Sequence, residues 1–177
     1  MRTHNFLLAT LTASAVLLAT AGLAQVGPPT SNCPRVMVSS VEHPADVAVN
    51  RFSAVKTTDL VFHVLFTGEV AKDHVVTLNV YTPHGHLYRR LDVPVAPNRG
   101  NTPAGTRRLA GYPYPVKVQT PVQRTVGGKS YAVIDVSLPV AGTSIIASSL
   151  YGRWQVAVVM DGARQPCPER TQFYITQ

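Results

Sequence analysis

The sequence predicts an all-β protein, built as a two-sheet sandwich of about seven strands. Three observations lead there. Apolar and polar residues alternate in short segments along the chain, as at Val76–Tyr81, Ala132–Val140 and Trp154–Met160. That period belongs to a strand with one buried face. Turn residues punctuate these segments, at Pro83-His84-Gly85-His86, Gly127-Gly128-Lys129 and Asp161-Gly162. Past the N-terminal segment, no stretch carries the apolar spacing of a helix.

Taken in order, the chain opens with Arg2 and His4, then a mostly apolar run from Phe6 to Ala21. Gly22 and Ala24 stand where a signal peptidase reads small residues before Gln25. Residues 1–24 are therefore expected to be a cleaved secretory signal peptide. Export removes the supply of cytosolic ATP and permits disulfides. Residue 25 is Gln, so it offers no thiol for a lipoprotein anchor. Residues 25–34 are rich in Pro and Gly and are expected to be a flexible lead-in. Residues 35–177 are expected to form one domain, with no transmembrane segment after cleavage.

Within that domain Arg35–Ser40 reads as a short strand. Thr58–Thr67 (TDLVFHVLFT) is nearly continuous in β-branched and aromatic residues, as in a strand buried on both faces. Val76–Tyr81 and Leu87–Val95 form a hairpin about the Pro83–His86 turn. Ala96–Pro115 is the longest irregular segment, and loops of that length are commonly functional or disordered. Val116–Val126 resumes an extended pattern. After the Gly127-Gly128 turn, Ala132–Val140 alternates as a core strand. Ala141–Leu150 connects, with room for a short helical turn. Trp154, Val156, Val158 and Met160 share one face of the next strand, and Gln172–Thr176 closes the domain.

Only Cys33 and Cys167 are available for a bridge, one near each end of the domain. In an exported chain such a pair is expected to form a disulfide. A redox or thiolate-metal pair is the alternative, but there is no C-x-x-C spacing. The charge is unevenly spread. Between Asp92 and Asp135 there is no acidic residue, while Arg99, Arg107, Arg108, Lys117, Arg124 and Lys129 fall in that interval. Elsewhere after residue 24 the charges cancel, so the whole excess lies in one segment. Such a concentration attracts anionic partners. Aromatic residues are not interleaved with it as in nucleic-acid stacking platforms, so no specific nucleic acid is expected.

The ending AGTSIIASSLYGRWQVAVVMDGARQP…TQFYIT resembles the last strands of bacterial exported immunoglobulin-like modules. The matching positions are Gly152, Trp154, Val156, Val158, Asp161, Gly162, Phe173 and Ile175. The segment VTLNVYTPHGHLYRRLDV resembles their central hairpin. The resemblance implies an immunoglobulin-like sandwich. It also implies an adhesive, scaffolding or accessory role without catalysis.

Several patterns invite chemistry. His84 and His86 sit two apart, a spacing that lets two imidazoles share a Zn or Cu ion, with His63 and His74 as further ligands. Polar turn residues are the competing reading. Gly127-Gly128-Lys129-Ser130 mimics the end of a phosphate-binding loop, but the Gly that pattern needs is Gln123 and a strand follows. There is no G-x-S-x-G elbow, and Ser148-Ser149 has no neighbouring base in sequence. Tyr112 and Tyr114 flank Pro113 in the basic loop, where they can stack on sugar rings beside Arg107 and Arg108.

The sequence thus leads to an exported protein of the periplasm or cell surface, non-catalytic and without a cofactor. The expected partner is an anionic envelope polymer or an envelope protein. The expected contact is the basic loop at 96–115, through Arg99, Arg107, Arg108, Tyr112 and Tyr114. A metal-binding protein using His84 and His86 is one alternative, and a subunit of an envelope assembly is another.

Overall fold

The computed structural model describes residues 33–40, 49–98, 105–109 and 111–177. The expected signal peptide (1–24), all but the last two residues of the 25–34 lead-in, and Arg99 lie outside the described residues.

Two antiparallel sheets face each other. One is ordered β1 (Arg35–Ser40), β3 (Asp59–Phe66), β9 (Lys129–Pro139), β8 (Val122–Val126). The other is ordered β2 (Arg51–Ser53), β11 (Arg170–Thr176), β10 (Gly152–Met160), β4 (His74–Tyr81), β5 (Leu87–Val95). Within these two sheets β2 and β11 pair in parallel, and the other strand pairs are antiparallel. In immunoglobulin lettering these orders read A-B-E-D against A′-G-F-C-C′, the arrangement of that sandwich. A small ribbon of β6 (Thr106–Arg107) and β7 (Val116–Lys117) lies apart, and α1 (Ser144–Ala147) is the single helical turn among the described residues.

The strands outnumber the seven expected, for local reasons. Strands β2, β6 and β7 are two or three residues long, too short to show a period. The extended stretch at 116–126 divides into β7 and β8 around Pro121, which lacks the N–H that a continuous ladder needs. The described residues of the 96–115 loop include the short strand β6. Ala96 and Pro97 are buried, and Val118 donates its N–H to Gly105 at 3.1 Å.

Alternating residues of both sheets fill the space between them. Leu60, Phe62 and Val64 of β3 meet Val76, Leu78 and Val80 of β4, all fully buried. Trp154 is fully buried, as its sequence pattern predicts. Tyr88 stands edge-on to it at 5.1 Å, Phe173 stacks on it at 6.2 Å, and its Nε1 donates to Leu150 O at 2.9 Å. That bond satisfies the indole N–H, which would otherwise be costly to bury. Leu87, at the turn end of β5, is instead 55% exposed.

Cys33 and Cys167 form the expected disulfide, with Cα atoms 5.7 Å apart across 134 residues. It fastens the start of β1 to the β10–β11 connection. No helix among the described residues is long and apolar enough to cross a membrane.

Candidate functional site

A groove with a volume of about 610 Å³ lies on the outer face of β4 and β5. Pairing between these strands sets its floor. Thr77 is opposite Asp92 and Asn79 is opposite Arg90, so the outward side chains of both strands meet there. Lys72 and Asp73, before β4, and Asp161-Gly162, after β10, close one end. The turn in which Tyr112 N–H donates to Leu109 O at 3.2 Å lies over it, bringing Arg108, Leu109 and Tyr112 to the rim.

The sequence-expected contact residues divide. Arg108 and Tyr112 line the groove. Arg107 turns toward Asp73, its guanidinium 3.7 Å from the carboxylate. Tyr114 is 76% exposed and is not part of the lining. The remaining lining residues that carry chemistry are Lys72, Asp73, His74, Thr77, Arg90, Asp92 and Asp161. Their common placement escapes sequence reasoning because they come from separated segments that only the hairpin register and the β10–β11 turn bring together.

Each acid of the groove has a partner, although Asp92 is engaged through one oxygen only. Asp161 accepts from His74 Nδ1 at 2.8 Å and from Val75 N–H at 2.9 Å. It holds φ at 51°, and with Gly162 at 68° it makes the left-handed turn that Asp-Gly predicts. Burial pushes its carboxyl up. The Val75 and His74 hydrogen bonds, with the charges of His74 and Lys72, outweigh that and hold it below its ordinary value. Asp92 Oδ1 accepts from Thr77 Oγ1 at 2.5 Å and from Arg90 Nε at 3.0 Å. Lys72 and Arg108 form no ion pair among the described residues.

A second polar constellation crosses the outer face of the other sheet. Ser39 Oγ is 2.6 Å from His63 Nε2, and His63 Nδ1 is 2.6 Å from Asp135 Oδ1. Arg124 forks onto Asp135 at 3.1 and 2.7 Å. An ionised carboxylate only accepts, so His63 Nδ1 donates to Asp135 while Nε2 faces the Ser39 hydroxyl. Hydrolases use this connectivity. Here Ser39 is 4% and His63 7% exposed, which closes the hydroxyl to a substrate, and Arg124 occupies both Asp135 oxygens. The row links β1, β3, β9 and β8, and its geometry is that of a tie across all the strands of the sheet. Burial pushes the Asp135 carboxyl up, but the hydrogen bonds and charges of Arg124 and His63 hold it below its ordinary value.

The histidines expected to share a metal are not gathered. His84 and His86 are exposed in the β4–β5 turn, where Gly85 takes a φ of 80°. His63 belongs to the tie on one sheet and His74 to the groove on the other. Among the described residues, no cluster of His, Cys, Asp or Glu has the membership needed to hold a metal ion. Gly127 and Gly128 take φ of 56° and 75° and form the tight β8–β9 turn, with Val126 opposite Lys129.

Comparison with protein-family models, with curated proteins and with solved structures finds no match for this chain.

Proposed function

We propose that this protein is a non-catalytic binding module of the cell envelope, related to bacterial exported immunoglobulin-like modules. It holds an anionic envelope component in the groove between the β4–β5 face and the basic loop. The carrying observation is that Arg108 and Lys72 line one groove in which each carboxylate already has a partner on at least one oxygen. The lining carries three Lys or Arg and three Asp, but Asp73, Asp92 and Asp161 each have a partner within the fold, so Arg108 and Lys72, which form no ion pair among the described residues, can hold an anion through charge-assisted hydrogen bonds. The disulfide supports export, because such bonds persist in oxidising compartments.

The test is retention of the purified, disulfide-intact protein on an immobilised anionic envelope polymer. Retention that weakens with salt, and falls about tenfold in Arg108→Ser and Lys72→Ser, agrees with the proposal. Unchanged retention in both variants contradicts it. Recovery of one stoichiometric protein instead of polymer points to an assembly subunit.

A further inference from the structure

We infer that the groove's ligand is an acidic saccharide, with its sugar ring against Tyr112 and its carboxylate or phosphate held by Arg108 and Lys72. The inference rests on the anion-binding reading above and names the ligand class of that same groove.

The groove holds more than an inorganic anion needs. Asp92 receives both Thr77 and Arg90 on Oδ1, and its Oδ2 takes no hydrogen bond among the described residues. Arg90 uses only Nε in that contact, so its terminal nitrogens remain as donors. A free carboxylate oxygen beside free guanidinium donors suits a hydroxyl, which donates to one and accepts from the other. For a bare polyanion the same carboxylate is repulsive. Tyr112 and Leu109 add apolar surface next to Arg108. The C–H face of a sugar ring covers such surface, while its hydroxyls reach polar groups. The volume of about 610 Å³ suits a small ligand or a short stretch of a polymer.

The test is calorimetric titration of the purified, disulfide-intact protein with four probes. Trigalacturonate and glucose 1-phosphate are acidic sugars, maltotriose is a neutral one, and tripolyphosphate is an anion without sugar. Tyr112→Ser and Arg108→Ser are the variants, each checked for native melting behaviour, because both side chains stand on the loop rather than in the core. The expected result is binding of an acidic sugar, about tenfold weaker in each variant, with maltotriose and tripolyphosphate both weaker. Preference between the two acidic sugars tells carboxylate from phosphate. Tripolyphosphate binding as tightly as either sugar, unchanged by Tyr112→Ser, overturns the saccharide inference and leaves the anion-binding reading standing. Equal binding of maltotriose overturns the acidic requirement. Failure of every anion to bind overturns both.

Discussion

Asp161 Oδ2 lies 2.8 Å from His74 Nδ1, so the turn leaving β10 is clasped to the first residue of β4. The second carboxylate oxygen takes the Val75 N–H, and Asp161 N–H donates to Val75 O at 2.8 Å. One residue thereby fixes two walls of the groove relative to each other. That pre-organises the site, which reduces the ordering cost when a ligand binds.

Asp161 and Asp135 are both held below the ordinary carboxylate value. A carboxyl with a depressed folded-state pKa stabilises the fold above its unfolded value, and that contribution is lost as pH falls through the folded value. Urea midpoints are therefore expected to vary little for these groups above about pH 5 and to drop below about pH 4. The Asp135→Asn, Asp161→Asn double variant should show a shallower acid drop than the parent. An equally steep drop would assign acid sensitivity to other groups.

The Ser39–His63–Asp135–Arg124 row is expected to act on stability and not on chemistry. Ser39→Ala should cost about 1 kcal/mol, the scale of one buried hydrogen bond. Asp135→Ala should cost more, because it strips His63 and Arg124 of a shared partner. The native protein should not be labelled by a fluorophosphonate probe. Labelling of Ser39 would show that the hydroxyl is reachable and overturn its assignment as a tie.

The Cys33–Cys167 bridge closes most of the domain into one loop. In the chain-entropy treatment a loop longer than 100 residues contributes about 4–5 kcal/mol. Chemical denaturation with and without reductant should differ by a large part of that amount. Cys33→Ser, Cys167→Ser should match the reduced parent.

Gly152 begins β10 with φ of 130°, and a Cβ there would stand 3.2 Å from Pro83 Cβ. Gly152→Ala is expected to destabilise by about 1–3 kcal/mol through backbone strain, with Pro83 forced to yield. Gly68, which has no close neighbour and no positive φ, is the control, and Gly68→Ala should change the midpoint little.

The sandwich was legible because packing writes a local period. Trp154, Val156 and Val158 share a face in the sequence and are buried together in the structure. The turns were legible because Asp161-Gly162 and Gly127-Gly128 carry the residues that a left-handed backbone favours. The groove was only half legible. Arg108 and Tyr112 stand out in a charged, strandless stretch, whereas Lys72, His74 and Asp161 look like ordinary polar residues at element ends. Their role depends on register and on a clasp between segments 87 residues apart. The tie hid for the same reason, since Ser39, His63 and Asp135 sit on strands whose adjacency is a property of sheet order.

The central claim is that the basic rim of the groove is where the protein meets its partner. The most direct measurement places a photocrosslinking side chain at position 112 and, separately, at position 84 in the opposite-end turn, then irradiates the native envelope. The account predicts a crosslink to an acidic envelope polymer from position 112 and none from position 84. A crosslink from position 84 with none from position 112 would contradict it.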